Sequence, residues 1–316
     1  MSKQIYYKYS EYLKEKYGEK IYKIPIQLPL TCPNRINGAA CTFCAEVGTG
    51  FEAMPSEITI KAQMAETKEK IRKKYKAEKY IAYFQNYTNT YLPLGELKRY
   101  VEEVVKDEDI IELSISTRPD CIAKEYLEYL RAVSDRTGIH MHIELGLQTA
   151  NYHTLDLVSR GHGLAEFIGA VLLIKQYHFT ICTHIILNLP YDSTRDMIET
   201  SKILSALNVE IVKIHSLYLA KNTVMYEEYQ NGKFQICTKE EYFERLITFL
   251  EYLSPTIAVE RLFSRIPEAH SAFSNWGCSW WKLYETVIEI MQTENRYQGK
   301  KANYLDATVL KEFNKS

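Results

Sequence analysis

The 316-residue sequence lacks the features that mark several common classes of protein. No run approaches eighteen uncharged apolar residues, so we expect no membrane-spanning helix. The first residues carry no apolar segment of secretory type, which predicts a cytoplasmic protein. No Gly-x-Gly-x-x-Gly motif is present, so the common dinucleotide-binding fingerprint is missing. Neither a low-complexity segment nor a linker interrupts the chain.

The charge balance excludes a globally basic surface. Lysine and arginine number 39 against 40 aspartates and glutamates, which gives a net charge of −1. Nucleic acid could therefore bind only through local patches. The best candidates are the run Lys68–Lys76 and the stretch Arg296–Lys301, although a charged run of this kind is usually a solvated helix face.

Three of the seven cysteines lie within thirteen residues: Cys32, Cys41 and Cys44. They follow an apolar run, Ile24–Leu30, and precede the glycine-bearing stretch 47–50. An odd number of cysteines without a secretory segment indicates reduced thiols or metal ligands. Structural zinc and ordinary iron–sulfur clusters take four protein ligands, so a set of three leaves one coordination position open to a small molecule. A closed zinc or ferredoxin-like site stays possible from the loop alone.

The rest of the chain alternates strand-like and helix-like segments. Apolar, β-branched or aromatic runs are separated by stretches with apolar residues at three- and four-residue spacing, which predicts parallel βαβ units. Their nearly continuous apolar character is typical of parallel strands covered on both faces. Six units in succession predict a barrel or a doubly wound sheet. The strand-like runs are 24–30, 79–84, 110–116, 140–147, 180–189 and 210–217.

Polar residues recur at the carboxyl ends of these predicted strands. In barrels of parallel strands the active site forms at that edge, so the repetition predicts one composite site. The segments, in chain order, are Gln85–Tyr91, Ser116–Asp120, Glu144–Gln148 with Arg160–His162, Asn188–Pro190, and Lys213 with His215.

The cysteine spacing C-x8-C-x2-C resembles the cluster loop of radical S-adenosylmethionine (SAM) enzymes of the YhcC/YtqA-type subfamily, relatives of the methylthiotransferases and of the elongator catalytic subunit. The motifs Q-x-Y-T-N-T-Y, S-T-R-P-D-C, E-L-G-L-Q, R-G-H and the tail motif R-L…N-W…W-K…Q-G extend the resemblance over nearly the whole chain. It implies a partial (βα)6 TIM-like barrel with an N-terminal helix, spanning residues 1–255, and a C-terminal α/β extension over 256–316.

The resemblance also implies the cofactors and their ligands. Cys32, Cys41 and Cys44 would hold three irons of a [4Fe–4S] cluster, and SAM would chelate the fourth iron. An external flavodoxin- or ferredoxin-like protein would supply the electron. Residues in the family's cofactor-binding positions are Phe43 beside the adenine, Gln85 and Asn86 at the amino group, Glu144 and Gln148 at the ribose or methionine, Arg160 at the carboxylate, and Asn188.

The segment 188–192 departs from the family pattern. Asn-Leu-Pro-Tyr-Asp stands where relatives usually have Gly-Leu-Pro-Gly-Glu, which puts in doubt how closely this backbone approaches the adenosine.

Candidate catalytic residues are Arg118, Asp120 and His215, with a structural ion pair between Arg118 and Asp120 as the alternative. His184 is as consistent with a buried structural histidine as with a substrate contact. The remaining histidines and cysteines of interest are interpreted mainly as packing residues: His140, His142, Cys121, Cys182, Cys237 and Cys278.

Kinship with tRNA-modifying enzymes makes a tRNA nucleoside, such as a substituted wobble uridine, the leading substrate hypothesis by analogy. The alternatives are a radical SAM enzyme acting on a small metabolite or a protein side chain, and a metal-stabilised binding module without turnover.

Overall fold

The computed structural model describes residues 4–36, 38, 40–45, 52–266 and 271–305. The strands are β1 (Tyr22–Ile26), β2 (Tyr80–Phe84), β3 (Ile110–Thr117), β4 (His140–Gln148), β5 (Thr180–Ile186), β6 (Ile211–His215), β7 (Leu219–Ala220), β8 (Ala258–Val259) and β9 (Ser271–Phe273). The helices are α1 (Tyr9–Tyr17), α2 (Pro33–Ile36), α3 (Ile60–Tyr75), α4 (Leu94–Val104), α5 (Lys124–Thr137), α6 (Tyr152–Leu157), α7 (Leu164–Lys175), α8 (Thr194–Ala206), α9 (Val224–Gln230), α10 (Lys239–Tyr252) and α11 (Trp280–Thr293).

Seven strands form one parallel sheet in the order β1-β2-β3-β4-β5-β6-β8, with α3, α4, α5, α7, α8 and α10 as the crossover helices. The predicted partial barrel is thus confirmed, with a seventh strand added at its end. The added strand, β8, lies beyond residue 255, the predicted end of the core domain. The division into a core at 1–255 and an extension at 256–316 stays a prediction. A separate antiparallel pair joins β7 to β9.

Side chains on the outer face of the sheet pack against the helices. This apolar layer is buried and includes Ile24 and Ile26 of β1, Leu113 and Ile115 of β3, and Ile143 of β4. The helices that cover it have the expected terminal signals. Thr238, for example, accepts a hydrogen bond from the Glu241 amide at the start of α10.

The inner face of the sheet is polar, which the apolar appearance of the strands did not predict. Glu144 lies at its centre, where Oε1 accepts from Lys23 Nζ at 2.6 Å and Ser114 Oγ at 2.8 Å. Lys213 Nζ lies 3.2 Å from Glu144 Oε2 and 3.0 Å from Glu260 Oε1. Burial works to raise the pKa of Glu144, but the ammonium groups of Lys213 and Lys23 outweigh it and hold that pKa well below its usual value.

A second buried carboxylate lies nearer the amino edge of the sheet. Glu112 contacts His142 Nδ1 at 2.9 Å and Lys16 Nζ at 2.9 Å, which assigns His142 a structural contact. Helix α1 supplies Lys16 and covers this edge, where its Tyr9 and Leu13 pack with apolar residues of the sheet. None of the helices in the described part of the chain is long and apolar enough to cross a membrane.

The buried ion pairs give a test of the interior. Replacing Lys213 with methionine leaves Glu144 and Glu260 with one ammonium group, Lys23, between them. Because an incompletely compensated buried charge is costly, we expect Lys213→Met to lower the free energy of unfolding by roughly 3–5 kcal/mol. Urea denaturation followed by circular dichroism measures this loss.

The matched control is Lys70→Met. Lys70 pairs with Glu66 on the exposed face of α3, where an ion pair is worth no more than about 0.5 kcal/mol. Equal destabilisation by the two substitutions would show that the interior charges are solvated in solution.

Candidate active site at the carboxyl edge of the sheet

A pocket of about 710 Å³, partly open to solvent, lies at the carboxyl edge of the sheet. Its walls come from the segments that follow β1, β2, β3 and β4, because the carboxyl ends of parallel strands meet at one edge. Most of the predicted site residues line it. They are Cys32, Cys41, Cys44, Phe43, Gln85, Arg118, Glu144, Gln148 and Arg160.

Each of the three cysteine sulfurs receives an N–H from a different arginine. Arg118 Nη1 lies 3.8 Å from Cys32 Sγ, Arg160 Nη1 lies 3.5 Å from Cys41 Sγ, and Arg35 Nη2 lies 3.6 Å from Cys44 Sγ. A neighbouring cation favours the thiolate, which is the form that binds metal. Burial nevertheless raises the pKa of the Cys44 thiol, and the hydrogen bond from Arg35 opposes that shift.

Two further donors reach the same sulfurs. Thr88 Oγ1 lies 3.4 Å from Cys32 Sγ, and Asn34 Nδ2 lies 3.4 Å from Cys41 Sγ. Asn34, Arg35 and Thr88 were not singled out in the sequence. Their signal was available, since Asn34 and Arg35 lie inside the cysteine loop and Thr88 lies in the polar segment after β2.

A bidentate ion pair aims Arg118 at the cysteine loop. Arg118 Nε and Nη2 donate to the Asp120 carboxylate at 2.8 and 2.6 Å, and Nη2 also donates to the Gly161 carbonyl at 3.1 Å. Burial works to raise the pKa of Asp120, but the hydrogen bonds from Arg118 outweigh it and hold that pKa below its usual value. The ion pair between Arg118 and Asp120 is therefore present, and Arg118 alone of the two lines the pocket. A catalytic role for either residue stays a prediction.

Two glycines make room for the arginines. A Cβ on Gly146 would lie 2.5 Å from Arg160 Nη2, and a Cβ on Gly161 would lie 2.5 Å from Asn34 Oδ1 and 2.9 Å from Arg118 Nη2. Gly161 also has φ +75°, a conformation that side chains disfavour. The R-G-H segment therefore needs its glycine for both reasons.

The donor set fits a metal cluster with an open position better than a closed zinc site. Among the described residues, three ligand atoms that all lie within 4.8 Å of one another occur at Glu144, Cys182 and His184. The sulfurs of Cys32, Cys41 and Cys44 do not meet this distance, so they are more widely spaced. A tetrahedral zinc with bonds of about 2.3 Å brings its sulfurs to roughly 4 Å from one another. Of the four other cysteines, none lines the pocket among the described residues.

Arg160 retains hydrogen-bonding capacity toward the pocket. Its Nη2 donates to the Gly146 carbonyl at 2.8 Å, while its buried Nε has no partner. An unpartnered buried N–H is costly, so a bound acceptor at this position would stabilise it. A carboxylate in the pocket fits that need.

Four predicted residues do not line this pocket in the described structure. Asn188 is buried and its Oδ1 accepts from the Leu217 amide at 2.6 Å, facing an apolar cluster instead. Asn86 is buried beside the pocket with both side-chain polar atoms unpartnered. Asp120 lies behind Arg118, and His215 lies in a neighbouring cavity. The glycine-bearing stretch 47–50 lies outside the described residues.

Glu144 lines the pocket floor, but its carboxylate is already engaged. Its two oxygens bond Lys23, Ser114, His184 and Lys213. A direct contact to the ribose or methionine, as the resemblance implies, would have to compete with these four partners.

Comparison with known proteins identifies two family models in the chain. The model of the radical SAM superfamily matches residues 27–204, and that of the Radical_SAM C-terminal domain matches residues 209–293. YtqA of Bacillus subtilis is 32% identical over 298 residues, which cover 93% of this chain and 92% of YtqA. MJ0486 of Methanocaldococcus jannaschii is 35% identical over 302 residues, which cover 93% of this chain and 92% of MJ0486.

One curated relative is named for tRNA, and one solved structure shares the fold over most of the chain. A tRNA uridine(34) acetyltransferase of Methanocaldococcus infernus is 27% identical over 162 residues, which are 50% of this chain but 29% of that enzyme. The solved structure of archaeal Methanocaldococcus infernus Elp3 with an N-terminal deletion superposes with a TM-score of 0.67 and 17% identity, covering 88% of this chain and 64% of Elp3. At that identity the likeness shows a shared fold alone.

Proposed function

Since the chain belongs to the radical SAM superfamily, in its YhcC/YtqA-type subfamily, we propose that Cys32, Cys41 and Cys44 hold its [4Fe–4S] cluster and that SAM binds in the same pocket. The chain is an enzyme, and the cluster and SAM are its cofactors. The observation that carries the assignment of ligands is the set of three sulfurs facing one pocket, each with an arginine N–H donor.

Held by Cys32, Cys41 and Cys44 and by Arg160, the cluster and SAM would supply reductive cleavage of SAM and removal of a hydrogen atom from the substrate. The chain's own residues prepare the pocket for this chemistry. Arg35, Arg118 and Arg160 direct N–H groups at the sulfurs, and hydrogen bonds to sulfur tune the potential of a cluster.

Arg160 also has the free Nε described above, and a guanidinium offers a carboxylate strong, charge-assisted hydrogen bonds. We assign it the carboxylate of SAM. Phe43 is partly buried against the apolar cluster that contains Val158 and Leu217, which gives one wall of the pocket an aromatic surface for the adenine.

The first prediction concerns the cluster. We expect anaerobically reconstituted protein to be brown with about four irons per chain, as a [4Fe–4S] cluster requires. Cys32→Ala, Cys41→Ala and Cys44→Ala should each abolish the iron content, because each removes one of only three ligands. Iron analysis and visible absorption measure this.

Cys121→Ala, Cys237→Ala and Cys278→Ala are the matched controls and should retain the iron, since these thiols lie outside the described pocket lining. Loss of iron in any one of these controls would show that a fourth cysteine closes the site.

The second prediction concerns SAM. Arg160→Gln removes the charged donor and should weaken SAM binding on the order of a hundredfold, equivalent to about 2–3 kcal/mol. Gly146→Ala should act in the same direction without changing Arg160, because the added Cβ would lie 2.5 Å from its Nη2 and must displace the guanidinium. Equilibrium dialysis with labelled SAM on the reconstituted protein measures both.

Gly169→Ala is the control for the glycine substitution. Gly169 lies in α7 with nothing near an added Cβ, so this variant should bind SAM normally and gain up to about 1 kcal/mol of stability. Normal SAM affinity in Gly146→Ala and Arg160→Gln would show that Arg160 has another role.

For the substrate, we propose a tRNA nucleoside, such as a substituted wobble uridine, presented at the carboxyl edge of the sheet. The support is the partial similarity to an enzyme named for tRNA uridine 34, which covers half of this chain. The proposal rests on kinship rather than on a charged surface.

The two basic runs that the sequence suggested do not support it. Helix α3 ends at Tyr75 and four residues separate it from the start of β2 at Tyr80, so the lysine-rich end of the helix lies at the amino edge of the sheet, opposite the pocket. Much of its charge is paired within the chain, as in the contacts of Lys68 with Asp107 and Asp109. Arg296 and Lys301 likewise pair with Glu251 near the end of α10.

The third prediction therefore relies on the product rather than on binding. Deleting the gene should leave one wobble-position tRNA nucleoside as an unprocessed precursor, visible by mass spectrometry of digested tRNA. A plasmid copy of the gene should restore the product, whereas a copy carrying Cys41→Ala should not. An unaltered nucleoside profile in the deletion strain would favour the small-metabolite or protein side-chain alternative.

A further inference from the structure

A second cavity, of about 340 Å³, adjoins the first at the ends of β6 and β8. Its described lining consists of Glu52, Gln85, His215, Tyr218, Arg261, Ser264, Arg265 and Ile266. We propose that this cavity is an anion subsite, in which Arg261 and Arg265 bind a carboxylate or phosphate group of the substrate. This inference rests on the proposed function, because the subsite is assigned to the substrate of the SAM pocket.

The arginines of the cavity have no short ion pair, although the carboxylate of Glu52 also lines the cavity. Neither Arg261 nor Arg265 has a carboxylate oxygen within 4.0 Å among the described residues, whereas Arg118 and Arg296 in the same structure are paired. Although Arg265 is an exposed residue, partial desolvation and the neighbouring guanidinium of Arg261 lower its pKa, and the carboxylates of Glu52 and Glu260 oppose that shift without cancelling it. Two cations held close together without a carboxylate in direct contact repel each other, so an anion bound between them is favoured. A guanidinium matches the geometry of a carboxylate or phosphate.

A directional chain of hydrogen bonds holds Arg261. His184 Nε2 lies 2.6 Å from Glu144 Oε2, and His215 Nε2 lies 3.3 Å from His184 Nδ1. Arg261 Nη2 then lies 3.1 Å from His215 Nδ1.

The protonation of both histidines follows from this chain. Burial lowers the pKa of His184 to about 4, and burial together with Arg261 lowers the pKa of His215 well below its usual value, so both rings are neutral. His184 donates to Glu144 and accepts from His215, and His215 in turn accepts from Arg261. The carboxylate therefore fixes both tautomers and leaves Arg261 with its charge directed to the cavity.

Arg265 is held from the other side by an aromatic ring. Its Cζ lies 4.0 Å from the centroid of Trp280, the first residue of α11. Stacking of this kind orients a guanidinium without neutralising it, so its N–H groups remain available to an anion.

The two cavities are positioned to share one substrate. Gln85 lines both of them, and His184 in the first contacts His215 in the second. An anionic group bound by Arg261 and Arg265 would place the remainder of its molecule beside the SAM pocket. The subsite therefore selects a substrate whose negatively charged group lies a short distance from the reacting carbon.

Tryptophan fluorescence of the anaerobically reconstituted protein tests the subsite, because Trp280 lies against Arg265. Inorganic phosphate and acetate are titrated separately at constant ionic strength, and acetamide serves as the uncharged analogue of acetate. We expect a saturable change with at least one of the two anions and none with acetamide. The anion that binds more tightly distinguishes a phosphate-bearing from a carboxylate-bearing substrate.

Arg265→Gln, at an exposed position, and the double variant Arg261→Gln/Arg265→Gln should lower the apparent anion affinity at least tenfold. Arg131→Gln, on the exposed face of α5, is the matched control and should leave that affinity unchanged. Iron content and circular dichroism report whether the variants fold. Unchanged anion affinity in folded Arg265→Gln and double variants, or no saturable response of the wild type to either anion, would overturn the subsite.

The failure of the subsite is distinguishable from failure of the proposed function. Release of 5′-deoxyadenosine by the wild-type protein with no anion response overturns the subsite alone. A saturable anion response without release of 5′-deoxyadenosine under reducing conditions supports an anion site but overturns its assignment to a radical SAM substrate.

Discussion

Contacts between three guanidinium groups and three sulfurs join the cysteine loop to the sheet. Arg35 lies within the loop, whereas Arg118 follows β3 and Arg160 follows β4, so the loop is held by two neighbouring strands as well as by itself. These contacts place positive charge where thiolates, and then a cluster with thiolate ligands, need it. They also explain Gly146 and Gly161, whose missing Cβ atoms leave space for Arg160 and Arg118. Much of the pocket wall follows from this arrangement.

The two faces of the sheet have different roles: the outer face stabilises the fold, and the inner face carries the charged groups near the site. Its outer face packs apolar side chains against the helices, and burial of that layer is the main source of stability. Its inner face carries charges that are individually expensive to bury and are compensated in sets, as Glu144 is by Lys23 and Lys213. Glu144 also bonds His184, and this contact begins the hydrogen-bond chain that ends at Arg261 in the proposed anion subsite. The interior charges thus connect the packing of the barrel to the two cavities at its carboxyl edge.

The sequence predicted the framework and much of the pocket but not the contacts inside it. The apolar runs at 79–84 and 110–116 became β2 and β3 within one residue, since long buried strands leave a strong composition signal. Glu144 and Lys213 were noted only as polar groups near strand ends, and their pairing across the inner face was missed because, in β6, Lys213 lies between the core residues Val212 and Ile214. The strands β7 and β9 are too short to show periodicity. Asn188 illustrates the limit at the site: its place after a strand was correct, but sequence cannot tell that its amide faces Leu217 rather than the pocket.

The most direct test of the open iron position is electron paramagnetic resonance of the reconstituted protein after reduction with dithionite, recorded before and after SAM is added. A cluster held by Cys32, Cys41 and Cys44 alone has one iron without a protein ligand, so SAM should bind it and shift the g values of the reduced cluster. A reduced-cluster spectrum that is identical with and without saturating SAM would contradict this, since it would mean that the protein already supplies all four ligands.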